Sequence, residues 1–292
     1  MKKLLLTGAS GFVGHYFINK YAKKYDIQTF SFLQDSFDGL HVKDVDVVVH
    51  LSALVHQMGG ASKEEYEKIN VTQTLDLAKK AKASGVKQFV FMSSVKVYGE
   101  ESDVCYTEHS TCNPQDEYGK SKLKAEQELQ KLEDDSFLVS IIRTPIVYGY
   151  GVKANLKNLV NLVHKVPVLP FGGIKNRRSM IYIGNLCFFI DAVIERQKSG
   201  IFLVSDDEPL STTGLIELIA ANLGKKVYLV KVPFFETLLK FVKPSFHKRL
   251  YGSLEVDNKD TLRRIFGEAK ASLPYSVEEG IGLMIHGEKE EV

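Results

Sequence analysis

Leu4-Leu5-Leu6-Thr7-Gly8-Ala9-Ser10-Gly11-Phe12-Val13-Gly14 places a short apolar run, a turn with glycines at 8, 11 and 14, and the start of a helical pattern in direct succession. Three leucines ahead of a Gly-rich turn read as a buried strand. Glycine allows the tight turn and lets a pyrophosphate approach the backbone, while the following helix offers free N–H groups and the positive end of its dipole. The same turn can also join a strand to a helix with no ligand. The glycines alone therefore leave a cofactor cradle and a bare connection both open.

Working outward, apolar runs of strand length recur at Ile27 to Phe32, Val45 to Leu51, Gln88 to Met92, Leu138 to Ile142 and Ile201 to Val204. Helical patterns separate most of them: Phe12 to Lys24, Glu64 to Ser84 with a stop at Gly85, and Asp116 to Leu132, rich in Lys, Glu, Gln, Ala and Leu. Strands alternating with helices predict an α/β chain built on a doubly wound parallel sheet covered on both faces. Beyond Tyr148 the rhythm changes. Gly149, Gly151, Pro167, Pro170, Gly172 and Gly173 punctuate shorter segments before helical stretches near Ser211 to Leu223 and Asp257 to Phe266, which predicts a second, smaller lobe.

The chain has 292 residues, 44% apolar and 25% charged, which is the composition of a folded globular protein able to bury a large core. Its formal charge of +2 comes from 38 basic and 36 acidic residues without a dense basic tract, which argues against a nucleic-acid partner and leaves a small anionic ligand open. Cys105, Cys112 and Cys187 are odd in number and lack CxxC spacing, so neither a disulfide framework nor a zinc site is expected, and a reducing cytoplasm fits. Met1 to Ser10 reads as a first strand, not a targeting leader. No apolar run approaches the ~20 residues of a membrane helix. The nearest, Phe234 to Val242, carries Glu236 and Lys240 and reads as a buried or partner-facing helix, with a peripheral membrane contact as the lesser alternative.

Two further stretches carry chemistry. Tyr118-Gly119-Lys120-Ser121-Lys122 sets a phenol and an ammonium at i and i+4 on one helix face. A free tyrosine, with a pKa of ~10, is a poor acid/base near neutrality unless positive charge stabilises the phenolate, and Lys122 is placed to supply it. Taken alone, the pair is equally an exposed couple on a charged helix. Phe89-Val90-Phe91-Met92-Ser93-Ser94 is an apolar strand ending in two hydroxyls, at the carboxyl end where ligands bind in open α/β sheets.

In combination, the TGASGFVG turn, the Ser93-Ser94 strand end and the YGKSK helix resemble the extended short-chain dehydrogenases of the NAD-dependent epimerase/dehydratase family. The resemblance continues through Arg143-Thr144-Pro145-Ile146-Val147-Tyr148-Gly149 and Asn176-Arg177-Arg178-Ser179-Met180-Ile181-Tyr182-Ile183. It implies a Rossmann domain over 1–148 and 180–206 and a mixed nucleotide-sugar lobe over 149–179 and 207–292. It implies NAD as cofactor, with NADP as the alternative, held by Gly8, Ser10, Gly11, Phe12, Val13 and Gly14, by Leu51, Ser52 and Ala53, by Tyr118 and Lys122, and by Pro145. Asn70 matches a bracing asparagine, and His50, inside a strand pattern, reads as a packed core histidine. Neither an acid nor an arginine stands at the end of the second strand. Asp35 in the next turn is equally a ribose contact or a solvated loop acid.

The resemblance also implies a catalytic set of Ser94, Tyr118 and Lys122. Arg178 would contact the substrate pyrophosphate, with Asn155 as a further phosphate contact and Lys96 at the substrate, and no residue is assigned to a metal; Arg249, in Lys248-Arg249-Leu250, reads as a second phosphate contact or, more readily, as part of a solvated face. The partner is a nucleotide sugar, UDP-linked, and a homodimer is compatible with the family. Lys96, the Val147 to Asn155 run and Asn176-Arg177-Arg178-Ser179 resemble acetamido-sugar reductases. The expected reaction is therefore reduction of a 4-keto nucleotide sugar, with UDP-sugar 4-epimerisation as the alternative and a non-catalytic NAD(P)-binding regulatory protein as a third reading.

Overall fold

The computed structural model describes residues 1–55, 61–267 and 272–288. Its centre is a six-stranded, wholly parallel sheet of β1 (Lys3–Thr7), β2 (Asp26–Phe30), β3 (Val47–His50), β4 (Gln88–Ser94), β5 (Leu138–Thr144) and β9 (Gly200–Leu203), in the order β2-β1-β3-β4-β5-β9. Each apolar run picked out in the sequence lands on one of these strands. Two short parallel pairs lie outside it: β6 (Ile146–Tyr148) with β8 (Met180–Tyr182), and β7 (Val168–Leu169) with β10 (Tyr228–Leu229).

The helices are α1 (Phe12–Tyr21), α2 (Lys63–Tyr66), α3 (Gln73–Ala83), α4 (Glu117–Gln130), α5 (Ala154–Lys165), α6 (Ile183–Glu195), α7 (Thr212–Asn222), α8 (Phe235–Val242), α9 (Pro244–Tyr251), α10 (Lys259–Phe266) and α11 (Val277–His286). A π-helical turn, Glu67–Thr72, joins α2 to α3, so the helical pattern from Glu64 to Ser84 is one helical path with a widened turn inside it.

Strand alternation sorts the core into two layers. Leu4, Leu6, Val47 and Val49 face one side, packed with Phe17 of α1 and Leu186, Phe189 and Ile190 of α6. Leu5, Val48, Phe89 and Phe91 face the other, against Leu77, Ala78 and Ala81 of α3 and Ala125 and Leu129 of α4. Runs of apolar residues without polar alternation are what a sheet buried on both faces requires.

The chain reverses its lateral direction at β1, which has β2 on one side and β3 on the other. Such a switch point opens a crevice at the strands' carboxyl ends. Residues 31–46 contain neither helix nor strand, which leaves β2 as the sheet's edge. Beyond the sheet, Asp206 ties the later segments together: its carboxylate accepts from the Tyr148 hydroxyl at 2.6 Å, from Asn185 Nδ2 at 2.8 Å and from the Tyr182 amide. No helix among the described residues is long and apolar enough to cross a membrane.

Candidate active site

The three glycines of the first turn are needed for different reasons. Gly8 has a φ of +74°, and a Cβ there would lie 2.8 Å from the Ser52 amide nitrogen, so the turn is pressed against the chain leaving β3. A Cβ on Gly14 would come within 2.2 Å of the Gly8 carbonyl oxygen, so this glycine lets α1 sit against the turn. Gly11 is exposed, its φ is an ordinary −76°, and its Cβ would meet only the Gly8 oxygen at 3.1 Å. The missing side chain at Gly11 thus leaves an open face that internal packing barely needs.

Gly11 is also the N-cap of α1, and no side chain caps that helix end. The first-turn amides of Phe12, Val13 and Gly14 have no carbonyl of the helix to bond, as at any helix start. Open backbone, uncapped amides and the positive helix end fit a dinucleotide pyrophosphate. Leu51, Ser52 and Ala53 adjoin this cradle, the Ser52 amide donating to Thr7 Oγ1 at 3.3 Å, and buried Pro145 follows β5. Asp35 is exposed and its carboxylate accepts from the Ser31 amide at 2.7 Å, closing the turn after β2.

Ser94 ends β4, and Tyr118 and Lys122 stand one turn apart on α4. The Ser94 side chain lies close enough to the Tyr118 hydroxyl to favour its ionised form. The phenol is raised to about 12, foremost by loss of hydration, with the Ser94 side chain opposing the rise and Asp116 and Tyr66 adding to it. Lys122 is buried, donates to the Met92 carbonyl at 2.8 Å and lies 4.5 Å from the centre of the Phe91 ring. Burial lowers its ammonium to about 7, against the pull of Glu126. Lys122 is not among the groups that lower the phenol, its amine being turned to the Met92 carbonyl. His50 is a packed core histidine: Nδ1 lies 2.7 Å from Thr7 Oγ1, Nε2 lies 2.9 Å from Thr74 Oγ1, and burial, then Lys122, lowers it to about 3.

Around these groups runs a bracing network that the sequence showed only in part. Asn70, buried in the π-helical turn, holds Leu54 by both amide and carbonyl at 2.8 and 3.0 Å and donates to Ser121 Oγ at 3.0 Å. Ser121 donates in turn to the Tyr118 carbonyl at 2.8 Å. Asp116 caps α4, accepting from the Gly119 amide at 2.7 Å, and its second oxygen takes Lys96 Nζ at 2.5 Å. Lys96 also reaches Glu100 at 3.2 Å, so its ammonium is engaged by two carboxylates beside the site. The Asp116 cap is readable in the sequence as an Asp just before a helical run. The roles of Ser121 and Lys96 have no such local signal.

Beneath the strand ends lies a second network, which sequence reasoning missed. Arg143 and Glu126 form a forked ion pair, with Nη2 to Oε2 at 2.6 Å and side chains 4% and 1% exposed. Ser93 donates to Glu126, and Arg143 Nη1 donates to the Tyr98 hydroxyl at 2.7 Å. Burial alone would lower the guanidinium pKa, but Glu126 holds it above its usual value.

The three phosphate candidates, Arg178, Arg249 and Asn155, converge. Arg178 Nη1 donates to the Arg249 carbonyl at 2.9 Å, and Arg249 Nη1 approaches Asn155 Oδ1 at 3.4 Å. Burial, with some opposition from Glu101, and the neighbouring Arg249 charge lower the Arg178 pKa. The Arg178 guanidinium, partly desolvated and near enough to feel the Arg249 charge, makes with it a receptive place for a polyanion.

Residues 4–204 match the NAD dependent epimerase/dehydratase family, and the chain belongs to that family. A UDP-glucose 4-epimerase of Vibrio cholerae is 38% identical over 294 residues, spanning 89% of this chain and 90% of that protein. An N-acetyl-alpha-D-glucosaminyl-diphospho-ditrans,octacis-undecaprenol 4-epimerase of Escherichia coli O157:H7 is 27% identical over 79% of this chain and 75% of its own. The crystal structure of a UDP-glucuronic acid 4-epimerase from Bacillus cereus in complex with NAD superimposes with a TM-score of 0.76 at 19% identity, covering 98% of each chain, a likeness of fold.

Proposed function

We propose that this chain is an NAD-dependent 4-epimerase of a UDP-linked sugar. The observation that carries the reading is the 38% identity to a UDP-glucose 4-epimerase across nearly the full length of both chains. Because that relative is a 4-epimerase, it favours the alternative over the reduction expected from the sequence; Lys96, one of the features that pointed to a reductase, is engaged with Asp116 and Glu100. Retention of Ser94, Tyr118 and Lys122 together speaks against a non-catalytic sensor.

In this reading the cradle of Gly8, Ser10, Gly11, Phe12, Val13 and Gly14, with Leu51, Ser52, Ala53 and Pro145, holds the dinucleotide. When bound, NAD would accept the hydride from the sugar carbon and give it back to the opposite face of the keto sugar, and while oxidised would carry a positive ring charge. Tyr118 takes the proton of the sugar hydroxyl as base and returns it to the same oxygen as acid once the sugar presents its other face. Ser94, whose side chain lies beside the Tyr118 hydroxyl, orients that oxygen. Lys122, poised near neutrality, supplies the cation that Tyr118 needs to act as base. Arg178, Arg249 and Asn155 hold the diphosphate. Residues 1–148 with 180–206 form the cofactor domain and 149–179 with 207–292 the sugar lobe.

The deciding experiment gives the protein UDP-glucose or UDP-GlcNAc with NAD and no reduced cofactor, and in parallel a UDP-linked 4-keto sugar with reduced cofactor. Formation of the 4-epimer in the first supports the proposal. Stoichiometric cofactor oxidation in the second with no epimer in the first would restore the reductase reading.

A further inference from the structure

The helix α8 was expected to be buried or to face a partner, and it has no buried residue. Its inward side, Phe235 and Leu239, packs on the buried core, Phe235 beside Phe171. Its other side is also apolar: Phe234, Leu238, Phe241 and Val242 recur at i, i+4, i+7 and i+8 and are 85%, 59%, 79% and 64% exposed. The chain entering α8 exposes Val230 and Val232, and α9 adds Phe246. A contiguous apolar stripe of this kind on a helix marks a contact surface, unlike scattered single residues.

Charge indicates the occupant. Across the whole chain 38 bases nearly balance 36 acids, yet residues 225–249 hold seven bases, Lys225, Lys226, Lys231, Lys240, Lys243, Lys248 and Arg249, against the single acid Glu236. All six of these lysines are exposed, and Lys240 and Lys243 directly border the stripe. Exposed aromatic and aliphatic side chains on a short helix rimmed by lysine match the requirements of the interface of an anionic bilayer, where the apolar side enters the acyl boundary and the ammoniums meet lipid phosphates. A self-complementary contact between two copies would oppose the same excess positive charge to itself.

We propose that the chain docks on anionic phospholipid membranes through the outward face of α8 and its lysine rim. Docking there brings the membrane to the lobe that carries Arg178, whose guanidinium is bonded to the Arg249 carbonyl on α9. This inference is independent of the reaction assigned above, since it rests on the surface alone.

The test is co-sedimentation of the full chain with vesicles of phosphatidylcholine alone and of an equimolar mixture with phosphatidylglycerol. Binding is expected to the mixed vesicles only, weakening as salt shortens the Debye length from about 10 Å at 0.1 M to about 3 Å at 1 M. Leu238→Ser with Phe241→Ser should lower binding about tenfold or more, and Lys240→Glu with Lys243→Glu should abolish the preference for anionic lipid. Both variants change exposed side chains, and unchanged melting temperatures confirm their folding. Failure of the wild-type chain to bind mixed vesicles overturns the proposal. So does a solution mass showing a dimer that the Leu238→Ser, Phe241→Ser variant splits, since a second copy then covers the face.

Discussion

Lys122 and Arg143 are both buried cations beside the same carboxylate, that of Glu126, and the structure answers them differently. Arg143 meets Glu126 through a fork and adds a bond to Tyr98, so its charge is matched and its pKa is held up. Lys122, one turn before Glu126 on α4, has a backbone carbonyl and a ring face, and its pKa falls to about 7. A fully paired buried ion is scaffold, whereas an incompletely paired one is able to change its charge or accept a new partner. The strand ends thus carry a fixed layer with a responsive layer above it, and Ser93 and Ser94, adjacent in sequence, belong to one each.

The largest effect expected from the responsive layer is on rate. Tyr118→Phe should cut turnover by ~100 to 10,000-fold while leaving the melting temperature and cofactor affinity nearly unchanged, because it removes only the transferable proton. Steady-state rates together with a cofactor titration check it, and near-normal turnover would take Tyr118 out of the chemistry.

In the fixed layer the matching loss is of stability. Arg143→Met leaves Glu126 buried without its cation and should cost about 3–5 kcal/mol in denaturant unfolding. A cost below 1 kcal/mol would erase the contrast between the layers.

Lys122 tests the responsive layer through pH. Its folded-state pKa is lowered from 10.5 to about 7, so within that window the folded amine has shed a proton that the unfolded chain retains. The unfolded state then binds more protons, and the stability of the cofactor-free protein should rise with pH from about 7 towards 10. Lys122→Met should flatten this slope in denaturation curves at several pH values, and an unchanged slope would assign it to other groups.

The smallest effect is expected at Lys96. Lys96→Met removes two partly exposed ion pairs, with Asp116 and Glu100, each worth ~0.2–1 kcal/mol. As a positioning residue acting through the Asp116 cap, it should lower kcat several-fold with KM little changed. A rise in KM alone would return Lys96 to direct substrate contact.

By itself the sequence determined the sheet and the reactive ends of its strands. Apolar periodicity depends on neighbours along the chain, so six strand runs and the main helices were legible. The Gly8, Gly11 and Gly14 turn and the Tyr118–Lys122 pair were legible too, because a tight turn and an i,i+4 face are local geometry. Local motifs left reduction and epimerisation both open, and the relatives, themselves named as 4-epimerases, back the epimerase alternative better than reduction.

Tertiary structure decided which charges are matched. The pairing of Arg143 with Glu126, the engagement of Lys96 by Asp116 and the meeting of Arg178 with Arg249 join segments separated by 17, 20 and 71 positions. Whether a buried amine keeps its proton depends on which of those groups reach it and how much water they exclude. The exposure of the outer face of α8 was hidden for the same reason. An apolar helix reads alike in sequence whether the fold covers it or leaves it open, and only the packing of Phe235 and Leu239 inward turned Phe234, Leu238 and Phe241 to the outside.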